Sequence, residues 1–126
     1  MINGRIDLNY SLGSVVLHSS QSALQFEETT ERDVVVPGVT TNQQVTPYQM
    51  TATSLELVLW ETDQDVTVKT NSSSSPAQTI TLKAGIPFFW QKNCGFACPI
   101  TADVTQLFIT NAGPDEATIR LRHASA

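Results

Sequence analysis

The sequence predicts an all-β chain: an antiparallel β-sandwich of jelly-roll type, with a closed antiparallel barrel as the alternative. Three observations lead there. Apolar and polar residues alternate with period two in about ten short runs, the signature of half-buried strands. Turn-forming clusters separate these runs at roughly 8–12-residue spacing, as in sandwiches and barrels. No segment of ten or more residues carries a helical period, and no long internal repeat is present. With 126 residues, one domain over residues 1–126 is expected, large enough to bury a core without disulfides or metals.

The first element is a strand over Arg5–Tyr10, with Ile6, Leu8 and Tyr10 on one face. Residues 1–12 also suit an N-terminal arm that pairs with another subunit. Gly13 should break it. A short apolar strand follows at Ser14–His18, then a loop at Ser19–Ser22. Ala23–Glu28 alternates Leu24 and Phe26 against Gln25 and Glu27. Thr29–Arg32 reads as a polar connection, and Asp33–Val36 as a strand stopped by Pro37-Gly38. Val39–Pro47, rich in Thr, Asn and Gln, reads as an irregular or edge segment. Tyr48–Thr53 reads as a short strand leading into Leu55.

Leu55–Trp90 is the most legible stretch. Leu55, Leu57 and Leu59 alternate with Glu56, Val58 and Trp60, so one face should meet a core and the other should also be covered. Thr62–Asp65 is a polar turn, after which Val66 and Val68 restart the alternation. The two runs predict a β-hairpin. Asn71–Pro76 is an exposed loop, and Ile80 and Leu82 mark a third strand before the Ala84-Gly85 turn. In Ile86–Trp90, Pro87 lacks a ladder donor, which predicts an edge strand or a start near a bulge. Phe88, Phe89 and Trp90 are three adjacent rings that need cover from a second sheet or a neighbouring protomer. Gln91–Thr101 is a long loop, expected to be pinned by Phe96 and Ile100. Val104–Asn111 is a strand with Leu107 and Ile109 facing one way and Phe108 the other. Ala112–Glu116 is a turn. Ala117–His123 closes the fold, with Ile119 and Leu121 inward and Thr118, Arg120 and Arg122 outward.

Composition narrows the function. Charged residues make up 15% of the chain, against about 25% in an average domain. Ser and Thr, 27 together, fill the difference. The net charge of −5, with 3 Lys and 4 Arg, argues against nucleic-acid binding and against an anionic membrane surface. No apolar run approaches the ~20 residues of a membrane-spanning helix. Met1–Arg5 lacks the form of a signal peptide, so synthesis in the cytoplasm without export by that route is expected.

Each candidate site has a plainer reading. Cys94 and Cys98 could close a local disulfide, or join a metal site if two further ligands existed. The plainer expectation is two reduced, partly buried thiols. Glu61, Asp63 and Asp65, at i, i+2 and i+4, could form a weak calcium cluster, but more simply decorate an exposed turn. His18 and His123 have no nucleophile-elbow sequence to work with, and no H-x-H or H-x-x-x-H pair. No catalytic residue, metal or cofactor is assigned. Trp60, Trp90, Phe88 and Phe89 could offer a stacking platform for sugar, or fill the space between two sheets. Arg120 and Arg122 are candidate partner contacts, as are Ile6, Leu8 and Tyr10. Asn71-Ser72-Ser73 matches a glycosylation sequon, meaningful only in a secreted chain.

Two phrases carry a resemblance. From Asp65 to Trp90, a VTVKTN strand leads to a polar loop, a Thr-rich strand ending in LKAG, and a Pro-aromatic-Trp run. The ending, VTQLFITNAGPDEATIRLRHA, continues as strand, turn and closing strand. Together, over Leu55–His123, they resemble the small β-sandwich or jelly-roll proteins that decorate or cement tailed-phage capsids. The resemblance implies a structural virion protein on the capsid surface. It would be a homotrimer that clamps the major capsid protein, using no nucleic acid, membrane or cofactor. The alternative is a receptor- or glycan-binding module of a phage tail or fibre.

Overall fold

The computed structural model describes residues 28–126 in full, and the strands 2–12 and 15–26 by their backbone pairing. Strands β1 (Ile2–Leu12) and β2 (Val15–Phe26) form an antiparallel two-stranded sheet of their own. The remaining strands are β3 (Glu28–Val36), β4 (Thr40–Val45), β5 (Leu55–Thr62), β6 (Val66–Thr70), β7 (Thr79–Leu82), β8 (Phe88–Gln91), β9 (Leu107–Asn111) and β10 (Ala117–Ser125). They build two four-stranded antiparallel sheets with orders β3-β10-β5-β8 and β4-β9-β6-β7.

This is the jelly-roll arrangement. The strands pair in nested fashion: β6 with β7, β5 with β8, β4 with β9, and β3 with β10. One long antiparallel ribbon is thus rolled so that neighbouring pairs fall in opposite sheets. Its tip is the Asn71–Gln78 loop, the polar stretch between β6 and β7. The fold class predicted from the alternating pattern is therefore correct, and the barrel alternative is not realised among the described strands.

The core lies between the two sheets. Val34, Val36, Val58, Trp60, Ile119 and Leu121 come from one, and Val45, Val66, Val68, Leu82, Leu107 and Ile109 from the other. Burial alternates cleanly in β6 and β9, where every second residue is buried, because each sheet has one covered face.

Several local expectations are corrected by this topology. The β5–β6 pair is not a hairpin. β5 and β6 belong to opposite sheets, and Asp63–Asp65 is a crossover between them. Local alternation specifies strands but not partners, and the nested roll sends β6 to β7 and β9 instead. In β5 the core-facing residues are Val58, Trp60 and Thr62, while Leu57 and Leu59 are half-buried on the outer face. The expected loop at Ser19–Ser22 lies inside β2, and the expected connection at Thr29–Arg32 lies inside β3. A strand held by backbone pairing at the edge of a sheet needs no apolar alternation to persist. Tyr48–Thr53 is not a strand but an isolated Met50–Val104 bridge followed by a 3-10 turn at Ala52–Ser54.

The Gln91–Thr101 loop is anchored by Ile100, as expected, but not by Phe96, which is 80% exposed. Two amide side chains from the β6–β7 loop also hold it and the residues that follow. Gln78 donates to Pro99 O at 2.6 Å and accepts from Thr101 N at 2.9 Å. Asn71 donates to Asp103 O and accepts from Thr105 N, both at 2.8 Å. Asn71 sits at φ 70°, a left-handed geometry that Asn tolerates better than most residues.

Two further expectations agree with the structure. β8 is an edge strand beginning just after Pro87. In β10, Ile119 and Leu121 are buried while Arg120 is exposed. The expected break at Gly13, and the side chains of Ile6, Leu8, Tyr10 and His18, lie outside the described residues.

Candidate binding surfaces

The outward face of the β3-β10-β5-β8 sheet carries three stripes along its strands. β3 presents Glu31 and Asp33, and β10 presents Arg120 and Arg122. β5 and β8 present Leu57, Leu59 and Phe89. The register sets them side by side. Glu31 faces Arg122, which faces Leu59, which faces Phe89. One row over, Asp33 faces Arg120, which faces Glu61. Acid and base alternate across that row, the favourable arrangement for cross-strand pairs. The Arg122–Glu31 contact is loose at 3.9 Å and mostly solvated, so it contributes little to stability.

The three adjacent aromatics divide between the two sides of β8. Trp90 turns inward at 9% exposure and donates its indole N–H to Phe96 O at 3.0 Å. Phe88 packs on Trp60, with ring centroids 5.3 Å apart. Phe89 points out and is 46% exposed. The strand pleat decides this, since adjacent side chains leave opposite faces. Trp60 is fully buried, so neither indole offers a flat exposed plane for a sugar.

Beneath this face lies a buried polar chain that the sequence did not announce. Trp60 Nε1 donates to Tyr48 Oη at 3.2 Å, and Tyr48 Oη lies 2.9 Å from His123 Nδ1. The roles fit together when the phenol donates to an unprotonated Nδ1. Burial pushes the His123 imidazole below its ordinary value, against a hydrogen bond to the Gln49 backbone and the nearby Glu28 carboxylate, which favour the cation. Burial also pushes the Tyr48 phenol well above its usual range. Both groups are thus neutral over ordinary pH, and their hydrogen bonds satisfy what burial would otherwise penalise. The expected strand Ala117–His123, with Ile119 and Leu121 inward, already put His123 on the inward side by alternation; its partners Tyr48 and Trp60 were what the sequence could not supply.

The outward face of the β4-β9-β6-β7 sheet is different in kind. Across it run Gln44, Phe108, Lys69 and Thr79 in one row, and Thr110, Thr67 and Thr81 in the next. One cation lies on it, Lys69, which donates to Ser73 O at 3.1 Å; its other side-chain hydrogen bonds are between hydroxyls, amides and backbone. Gln44 donates to Gln106 at 2.6 Å, and Asn42 N donates to Thr110 Oγ1 at 3.0 Å.

The acidic residues of the β5–β6 crossover act as tethers. Asp63 accepts from Thr118 N at 2.8 Å. Asp65 accepts from Ala84 N at 2.9 Å and from Lys83 at 3.2 Å, and these bonds hold its carboxyl below the ordinary value. A shallow cleft lined by Glu61, Thr62, Asp63, Thr118 and Arg120 opens on the outer face. A second, polar cavity is lined by Glu28, Thr30, Gln49, Ser54, His123 and Ser125, among others. Cys94 and Cys98 are free thiols packed against the core margin. No group of three metal-ligating side chains occurs among the described residues.

No protein-family model matches the chain, and no curated protein matches it. Among solved structures, the cupin domain of Schizosaccharomyces pombe Cnp3 aligns with 97% of this chain and 84% of that one. The TM-score is 0.40 and the sequence identity 11%. The fold assignment rests on the strand order and takes nothing from that similarity.

Proposed function

We propose that this chain is a structural virion protein that binds the outer surface of a phage capsid and stabilises it. The capsid setting comes from the sequence resemblance. The surface mode of action is supported by one observation: the outward face of the β3-β10-β5-β8 sheet sets an apolar stripe, Leu57, Leu59 and Phe89, beside the Arg120–Arg122 pair. Apolar area with a charged margin is the composition of a protein-docking surface. The inward orientation of Trp60 and Trp90 counts against the aromatic-platform alternative for glycan.

The partner in this reading is the major capsid protein, and the assembly a homotrimer. The test is to add the purified protein to undecorated capsids and record their melting temperature, with its solution mass measured in parallel. A trimer that raises capsid melting in a saturable way is the expected result. No change in capsid melting at saturating protein removes the proposal.

A further inference from the structure

The sandwich has four edge strands, and three of them are protected against further pairing. β7 and β8 are only four residues long, and β8 is preceded by Pro87. β4 carries a register shift between Thr40 and Gln43, with Asn42 at φ 51°. Short strands, proline, bulges and charged side chains are the usual means by which an edge is closed to other chains. Of these β3 has only the charges, Glu28, Glu31, Arg32 and Asp33, over its nine residues.

The direction of its backbone groups follows from two contacts. Val35 O accepts from the Gln43 side chain at 3.0 Å, so the Val35 carbonyl points away from β10. Its register partner Thr118 turns its own N–H and C=O toward the β5 side, bonding Asp63. By the two-residue period of the strand, Thr29, Glu31 and Asp33 also aim their N–H and C=O groups at the open side. Among the described residues no strand pairs with that side.

We infer that the β3 edge accepts an added strand from a partner protein, and that this strand carries Lys or Arg at alternate positions. Charge sets the preference. The cross-strand row Asp33–Arg120–Glu61 alternates in sign and ends at β3 on an acid, as does the row Glu31–Arg122. A cation in the next strand continues the alternation. A second copy of β3 laid antiparallel along the same edge would instead set Glu31 and Asp33 beside their own counterparts. That repulsion closes the edge to self-pairing while leaving it open to a basic strand. Backbone bonds supply the affinity and the acids supply the selection, as in other strand-addition complexes. The inference deepens the surface-binding proposal by naming a partner chemistry, and for its biological setting it rests on that proposal.

The test uses two fluorescent ten-residue peptides, one alternating lysine with threonine and valine, the other with glutamate in place of lysine. Anisotropy titrations should show the lysine peptide binding at least tenfold more tightly, with affinity falling as salt rises. Asp33→Pro removes one outward N–H and no bond to β10, so it should weaken lysine-peptide binding at least tenfold. The double variant Glu31→Lys, Asp33→Lys, which keeps the backbone, should reverse the preference between the peptides. Equal binding of both peptides, no binding of the lysine peptide, or parent-like binding by both variants overturns the inference. Running the same variants against capsids separates the two ideas. Undiminished capsid binding by Asp33→Pro removes the β3 assignment and leaves the capsid proposal standing. Failure of the parent chain on capsids removes the capsid proposal, while the peptide titrations still decide the edge.

Discussion

The two outer faces of this sandwich are built from the same kind of strand and differ in what they offer a partner. On the β4-β9-β6-β7 sheet, threonine hydroxyls and Asn and Gln amides bond one another, as between Gln44 and Gln106 or Asn42 and Thr110. On the β3-β10-β5-β8 sheet, carboxylates, guanidinium groups and half-covered apolar side chains lie in separate stripes. Apart from Lys69 and the half-buried Phe108, that face is hydroxyls and amides already bonded to one another or to the backbone, so covering it gains less. The striped face has apolar area to lose from water and charges to select what covers it. The difference teaches that burial pattern alone does not mark a binding surface, since the cleanest alternation, in β6 and β9, belongs to the face with less to offer.

The inward sides differ too, and that gives the largest predicted stability effect. The second sheet buries Asn111, whose amide donates to Val36 O and Pro37 O at 3.3 Å and to Asp115 O at 2.7 Å. It thereby ties the end of β9 to the end of β3 and to the turn before β10. Asn111→Ala should destabilise the fold by about 2–3 kcal/mol, because buried carbonyls lose their donor. Urea unfolding measures this, and a loss under about 0.5 kcal/mol would mean that water replaces the amide.

The first sheet instead buries a titratable group, so the two sheets should respond differently to acid. The folded His123 imidazole sits below its ordinary value of 6.5. As pH falls below that value the unfolded chain takes up the proton first, so stability drops until the folded ring also protonates. Stability is full above the ordinary value. Tyr48 donates to a ring nitrogen that protonation removes as an acceptor, which couples the drop to the Trp60–Tyr48–His123 chain. The measurement is unfolding free energy between pH 7.5 and 5, compared with His123→Gln. The variant should flatten the descent, and identical profiles would show that His123 is not its source.

The smallest effect belongs to the exposed ion pair. Arg122→Gln should change stability by no more than about 0.5 kcal/mol, since its partner Glu31 is solvated and the contact long. A double-mutant cycle with Glu31→Gln checks this. A coupling above about 1 kcal/mol would mean that the stripes contribute to folding and are not reserved for docking.

Much of this fold was legible because alternation is local. Leu107 and Ile109 against Phe108, or Ile119 and Leu121 against Arg120, declare their faces without reference to any other strand. Pro87 likewise narrowed its run to an edge or a bulge, and the edge is what the structure has. Pairing was not legible. Val66–Thr70 follows Leu55–Thr62 after a short polar link, yet the two lie in opposite sheets, because the nested roll is a long-range arrangement. The choice of inner face in β5 was not legible for a related reason: both faces are apolar, and only the position of the opposing sheet decides between Leu59 and Trp60. The anchoring of the Cys-containing loop by Asn71 and Gln78 was hidden because polar residues in a loop look alike until their partners are known. Of the candidate contacts, Arg120, Arg122 and Phe89 share one face, whereas Phe88 and Trp90 belong to the core margin.

In the proposed function, binding uses the striped face and not the hydroxyl-rich one. The direct test is to place one aspartate on each, Leu59→Asp and Thr67→Asp, at half-buried outward positions of central strands. Co-sedimentation with undecorated capsids then gives the affinities, with melting curves confirming that both variants fold. Leu59→Asp should lose at least tenfold in affinity, about 1.4 kcal/mol, and Thr67→Asp should bind like the parent. Equal losses for both variants, or a loss confined to Thr67→Asp, would contradict binding through the striped face.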